Sequence, residues 1–394
     1  MSDSHIHQFA QTLQESATRH RRHIHRNPEL AFEEVQTADY AAKELESLGF
    51  EISRGYGKTG LVAHLATAND GPRFLLRFDM DALALQEQTG LDFASMKHGI
   101  MHACGHDGHV AIGLTVAKIL AELEKKLSGS YYLLFQPAEE IGQGAAAMIA
   151  DGVMDFIRPD YAIAVHLWAE EPAGWLGITS GPVMAGSKDL RITVRGVGGH
   201  SARPHKAVDP ILASAHLITA LQSIVSRKVD PLESVVYSIT QIHAGSTINV
   251  IPDFVTMSGT PRYFTPEVEQ EIENSTYRIC DGIAQAFGCE IEVELGVNAP
   301  PLVNNSTVCQ AAQKAAQKIN PDFAIENNLR MMASEDMALF LQQIPGAMFF
   351  VGAGKEDQDK RYPLHHPGFD IDENSLIVAA SLLLETCQQL AKTV

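Results

Sequence analysis

The feature that most constrains the fold is a change of texture. An alternation of apolar strands and helices runs to Ser180-Gly181-Pro182, gives way to a different order of elements, and resumes after Ala299-Pro300-Pro301. Before the break, residues 5–48 carry a helical pattern that closes at Gly49, strand-like runs follow at 60–65 and 74–78, and 111–123 reads as a helix. Strands at 131–135 and 161–165 enclose a helix at 144–150. Such alternation is what a sheet covered on both faces produces. Inside the interval the order becomes strand (190–197), helix (210–225), strands (234–242 and 254–262), helix (266–287) and strand (290–295), the βαββαβ pattern of ferredoxin-like units. Helices at 307–318 and 336–343, a strand at 347–351 and a helix at 374–391 close the chain. The reading is an α/β domain in two segments, 1–184 and 298–394, with an α+β domain of residues 185–297 inserted. The length agrees, because 394 residues exceed the roughly 250–300 at which a single core stops growing.

Charge narrows the function. With 48 acidic against 30 basic residues the formal net charge is −18, so the long-range field repels nucleic acid and anionic membrane surfaces, and neither is expected as a partner. The cluster Arg19-His20-Arg21-Arg22-His23 runs against this balance; a solvated helix face accounts for it, and it receives no function at this stage. No apolar run approaches the roughly 18–20 residues that span a bilayer, and the first 30 residues lack a signal-peptide apolar region, so a cytoplasmic location is expected. Five cysteines at irregular spacing do not form a disulfide framework. A special cysteine here is special for ligation or reactivity.

The densest chemistry is His102-Ala103-Cys104-Gly105-His106-Asp107-Gly108-His109, which puts a thiolate, imidazoles and a carboxylate between two regular elements. Gly105 leaves the loop free to aim Cys104 and His106 at one point, whereas His109, read as starting the next helix, suits a cap or a supporting contact. Glu139 and Glu140 follow the strand at 131–135. Neighbours on an extended stretch point apart, so one can ligate a metal while the other faces a substrate water. The plain alternative is a solvated acidic pair at a helix start. His166 and His365 end further apolar runs, and His366 competes with His365 on spacing alone. Asp79 and Asp81 share a face; ligation, orientation of a ligating histidine and turn capping are all open, with a supporting role favoured for Asp81. No His-Glu-x-x-His helix, nucleophile elbow or Walker loop is present. Gly142-Gln143-Gly144-Ala145-Ala146-Ala147 fits a loosened dinucleotide fingerprint. Two glutamates lie between it and the preceding strand and would repel a pyrophosphate, so that reading is rejected.

These residues, with His23-x-His25-x-Asn27-Pro28-Glu29, Asp79-Met80-Asp81-Ala82-Leu83, Gly198-Gly199-His200-Ser201-Ala202, Asn249-Val250-Ile251-Pro252-Asp253, Gly259-Thr260-Pro261-Arg262 and Ser334-Glu335-Asp336, resemble the M20 metallopeptidase family. The likeness is to its amidohydrolase branch of hippurate hydrolases, N-acyl-amino-acid deacylases and auxin-conjugate hydrolases. The resemblance implies a dinuclear-metal, zinc-exopeptidase-like catalytic domain with a ferredoxin-like lid and dimerisation domain. It places the metal ligands on Cys104, His106, Glu140, His166 and His365, the last in preference to His366, and the general base on Glu139. His200 is implied as oxyanion donor, and Asn249 and Arg262 as substrate contacts. Two divalent ions, manganese or zinc with cobalt or nickel as alternatives, a homodimer, and an N-acyl amino acid or dipeptide substrate also follow from it. Where the branch usually has Ala and Pro, this chain has Phe78 and Ala84, changes expected to alter a pocket wall. A dipeptidase or carboxypeptidase of the same family is the rival enzyme. A non-catalytic binding protein is the rival outside enzymology, and an intact Glu139 argues against it.

Overall fold

The structure, a computed structural model, describes residues 4–392, those at 297, 298 and 360 by backbone alone. The chain forms two compact units. One comprises Met1–Gly181, Val303–Leu329 and Glu335–Val394; the other comprises Pro182–Leu302 and Arg330–Ser334.

The first unit is built on a mixed sheet of β1 (Glu51–Tyr56), β2 (Gly60–Ala66), β3 (Asn69–Asp79), β4 (Ser128–Gln136), β5 (Tyr161–Pro172), β6 (Trp175–Gly177), β7 (Ala324–Glu326) and β8 (Gly346–Gly354). Their order across the sheet is β1-β2-β4-β3-β5-β8-β6-β7. The central four, β4, β3, β5 and β8, run parallel. Parallel strands are covered on both faces and so read as continuous apolar runs, and β8 is buried along its whole length. The helix His106–Leu123 is buried on nearly every side up to its last turn, with Lys118 and Glu122 exposed, as expected of a helix enclosed by others. It approaches the sheet closely at Gly113, where a Cβ would come within 2.9 Å of Phe78 and Phe135. Phe78, expected from the sequence in a pocket wall, is instead a core residue, its ring 5.4 Å from that of Phe135.

The β3–β5 ladder ends at Arg77 and Ala164, whereas β5 continues beside β8 as far as Pro172. Past Ala164 the sheet therefore opens into a crevice at the carboxyl ends of β3 and β4, the usual location of sites in open α/β sheets. His166, expected at a strand end, lies inside β5, because pairing with β8 prolongs the strand beyond its apolar run. Two further boundaries differ from expectation. The helix expected from residue 111 already begins at His106, and that expected at 336–343 shrinks to Ala338–Leu341, because Glu335 and Asp336 turn inward to Arg77.

In the second unit the strands Val236–Ala244, Phe254–Tyr263, Gly186–Arg195 and Glu290–Ala299 lie side by side in that order, all antiparallel. With the helices Pro210–Leu221 and Pro266–Phe287 they make the split βαββαβ arrangement that element order suggested. Each helix opens on Pro after a capping side chain, Asp209 or Thr265, that accepts backbone N–H bonds. Their buried faces meet Leu190, Ile192 and Val194 in a core separate from that of the first unit.

One buried ion cluster fixes the helix Gln14–Arg26 to the rest of the first unit. The Arg21 guanidinium, fully buried, donates to Asp107 (3.0 Å), Asp370 (2.6 Å) and Glu373 (3.1 Å). Removing it strands three carboxylates, so Arg21→Met should lower unfolding stability by about 3–5 kcal/mol, read as a lower urea midpoint at unchanged m-value. His25 joins the cluster at 2.8 Å from Asp107. Burial works against its charged form, but the bond to Asp107, its charge and Glu87 beyond outweigh burial and lift its pKa from 6.5 to about 9. The stability this proton contributes is complete below the unfolded value of 6.5 and is lost as pH rises through about 9. His25→Gln should therefore flatten the decline in stability across that window; an unchanged slope would remove His25 as its source.

Candidate metal centre

Three strained or permissive backbone positions shape the mouth of the crevice. Gly105, at φ 89°, starts the helix that carries His106. Ala138, at φ 54°, turns the chain after β4, and His365 itself sits at φ 64°. Left-handed backbone at non-glycine residues costs free energy and persists only where surroundings enforce it. At Ala138 the enforcement is visible: its N–H donates to Glu34 (2.9 Å), and its carbonyl accepts from Gln143 and Gly144. A Cβ on Gly144 would lie 1.6 Å from the Pro137 carbonyl oxygen, so the glycines that mimicked a dinucleotide fingerprint serve this turn.

The turn is pinned by Asp81. Its Oδ1 accepts the N–H of Glu139 (3.1 Å) and its Oδ2 that of Glu140 (3.0 Å), while its carbonyl accepts from His106 Nδ1 (2.9 Å). A ring nitrogen facing a carbonyl must carry the proton, so in the neutral ring His106 Nε2 holds the lone pair. Burial works against the charged ring, but Asp79 and Cys104 beside it outweigh burial and raise its proton affinity; a cation at Nε2 would displace the added proton. His166 is set the same way, its Nδ1 donating to the Leu167 carbonyl (2.9 Å). His109 differs: Nδ1 donates to Asp79 and Nε2 accepts the Leu167 N–H (3.0 Å), so both ring nitrogens are used. It supports Asp79 and has no free lone pair.

Six of the residues named from the sequence converge. Donor atoms of Cys104, His106 and His166 lie within 4.8 Å of one another, as do those of Cys104, Glu140 and His365, and those of His106, Glu139 and Glu140. Cys104 Sγ is 3.6 Å from His166 Nε2, and His365 Nε2 is 3.3 Å from Glu140 Oε2. His366 takes no part. Its Nδ1 accepts the Gly368 N–H and its ring stacks on Tyr362.

This donor set fits a divalent cation. His106 Nε2 and Glu140 Oε1 are buried, 4.0 Å apart, and without a hydrogen-bond partner among the described residues, a costly arrangement for the polypeptide alone. Burial pushes the Cys104 thiol well up and the neighbouring Glu140 adds to it, so ionisation there requires a local positive charge. Burial, with His109 next to it, holds His166 well below its ordinary value and therefore neutral, the form that ligates. Thiolate, imidazole and carboxylate together suit zinc or a neighbouring transition ion.

Several participants carried no legible signal. Arg77, fully buried, donates to Asp79, to Gln136 (2.9 Å), to Glu335 (2.8 Å) and to Asp336 (2.9 Å). Its partners lie up to 259 positions away. Apolar flanks made it look like one more strand residue. The second unit holds the remaining residues named from the sequence. His200 pairs with Val250 in a short ladder and its Nδ1 accepts the Ala202 N–H. Asn249 accepts from Thr247, and Arg262 donates to the Met332 carbonyl (2.7 Å).

The chain has marked similarities to known proteins. Residues 75–389 match the model described as Peptidase family M20/M25/M40. The N-acetyl-L-cysteine deacetylase of Bacillus subtilis (strain 168) is 39% identical over 379 residues, covering 96% of this chain and 89% of that protein. The hippurate hydrolase of Campylobacter jejuni is 41% identical over 362 residues, covering 92% and 93%. Among solved structures, a Bacillus subtilis protein described as a dinuclear metal binding peptidase from the M20 family superposes with a TM-score of 0.86 at 33% identity, covering 98% of this chain and 100% of that one.

The geometry places Asp81 behind the donors. Asp81→Ala should weaken zinc binding by about 10–100-fold, measured by competition with a chromophoric chelator. Unaltered affinity would show that the turn holds its shape without that carboxylate.

Proposed function

The chain belongs to peptidase family M20/M25/M40 and is a hydrolase acting on amides; from that premise we propose that it cleaves the amide bond of N-acyl amino acids, such as acetyl or benzoyl conjugates. The two relatives named for N-acetylcysteine and for hippurate support this class, since both compounds join an acyl group to an amino acid through one amide.

The observation that carries the reading is the setting of Glu139. Its Oε2 lies 3.9 Å from His106 Nε2, in the turn that Asp81 pins. Burial lifts its pKa well above the usual carboxylate range, and Glu335 lifts it further. A carboxylate tuned upward accepts a proton from water and can return it, the requirement for a general base that later acts as acid.

We propose that Cys104, His106, Glu140, His166 and His365 hold two divalent ions, manganese or zinc with cobalt or nickel as alternatives. Ions bound there would supply Lewis acidity to water and to the scissile carbonyl. Glu139 takes the proton of the attacking water on its carboxylate and delivers it to the leaving nitrogen. Asp81 holds Glu139 and Glu140 in register, and His106 Nδ1 keeps its proton, donated to the Asp81 carbonyl, throughout. For the second unit the proposed roles are oxyanion donation by His200 and substrate contact by Asn249 and Arg262, whose planar fork suits a carboxylate. The reading extends to a cytoplasmic enzyme that forms a homodimer through the second unit, whose edge strand Val236–Ala244 exposes Ile242. No helix of the described residues is long and apolar enough to cross a membrane.

Glu139→Gln should reduce kcat by about two to four orders of magnitude while metal content, by elemental analysis, stays that of the parent. Steady-state comparison of N-acetyl amino acids, hippurate and dipeptides should rank acyl conjugates first. Turnover of dipeptides alone would make the protein a peptidase instead.

A further inference from the structure

A groove of about 710 Å³ lies on the first unit between three helices. One wall is a single face of the helix Gln14–Arg26, carrying Ser16, Arg19, His20, His23 and Arg26, with Arg22 beside them. The other walls are Tyr40 and Glu44 of the helix Val35–Ser47, Leu114 and Lys118 of the helix His106–Leu123, and the loop residues Asp92 and Phe93. Lys118 is twelve residues beyond His106 on one helix, about 18 Å along its axis, so this groove is separate from the candidate metal centre.

Its chemistry opposes that of the chain. Four permanently charged cations line it against two acids, on a protein of formal charge −18. The arginines keep donors in reserve. Arg19 uses one guanidinium nitrogen on Glu15, Arg26 uses one on the Asp92 carbonyl, and Arg22 uses two on Glu373, whereas a guanidinium offers five N–H groups. Lys118 has no partner among the described contacts. Aromatic surface lies between these charges: Tyr40 stacks on His23 with ring centroids 4.2 Å apart and bonds His20 Nδ1 (2.7 Å), and Phe93 lies under Arg22. Burial lowers the pKa of His20, and Arg19, Lys118 and His23 lower it further against the opposing pull of Glu44, consistent with a positive field.

We propose that this groove is a binding site for a small organic phosphate that carries a planar ring, a ligand of nucleotide size. Guanidinium forks and a lysine answer the phosphate, the aromatic surface of Tyr40, His23 and Phe93 answers the ring, and the volume lies within the 300–1,000 Å³ typical of small-molecule sites. The basic run Arg19 to His23, for which a solvated helix face first sufficed, thereby acquires a ligand.

The test uses the full metal-loaded protein and AMP, adenosine and inorganic phosphate as probes, by calorimetry and thermal shift. AMP should bind, more tightly than either of its parts, and more weakly as salt is raised. The double variant Arg19→Glu/Lys118→Glu should lose at least about tenfold in AMP affinity with amide hydrolysis unchanged, and Cys104→Ala should leave AMP binding intact. Four results would each overturn the proposal: no AMP binding up to about 1 mM, inorganic phosphate binding as tightly as AMP, full affinity in the double variant, or loss of binding in Cys104→Ala, which would place AMP at the metal centre.

Discussion

The buried guanidinium of Arg77 is the contact on which the first unit's crevice depends. It reaches Asp79 at the end of its own strand, Gln136 at the end of β4, and Glu335 and Asp336 from a distant segment. Asp79 in turn holds His109, and His109 accepts the Leu167 amide of β5. One cation thus links three neighbouring strands at the point where the β3–β5 ladder has ended. A buried arginine is tolerable only when its charge and donors are met, and the acids that meet it also set the field around Glu139. Glu335 and Asp336 thus contribute both to the cohesion of the crevice and, after burial itself, to the raised proton affinity of Glu139.

A second principle is indirect support. Asp81 touches the backbone of Glu139 and Glu140 and the ring of His106, yet the described contacts give it no free oxygen: both carboxylate atoms are occupied by amides. Its position after β3 was legible as one of two aspartates sharing a face, but its partners were not. They depend on the left-handed turn at Ala138, and alanine at that position carries no sign of it.

How much could be read beforehand follows from how local each feature is. The Cys104 to His109 run and the Glu139-Glu140 pair are local in sequence and stood out on composition. The insertion was legible because its element order differs from the flanking texture. Strand β1 was not, since Glu51-Ile52-Ser53-Arg54 is half-exposed and polar. Nor was the extension of β5, which depends on pairing with β8, nearly two hundred positions later. Spacing could not separate His365 from His366; in the structure the first imidazole lies against Glu140, and the second is spent on a turn and a tyrosine ring.

The exposure of His365 has a consequence for how an ion arrives. Its side chain is 55% exposed, whereas Cys104, His106 and His166 are buried and Glu140 nearly so. Its amide donates to the Ala103 carbonyl, next to Cys104, so it is held in place by the backbone even with no cation present. Of these candidate donors His365 alone is largely open to solvent. On the proposed ligand set, an arriving ion would meet this exposed imidazole before the buried donors.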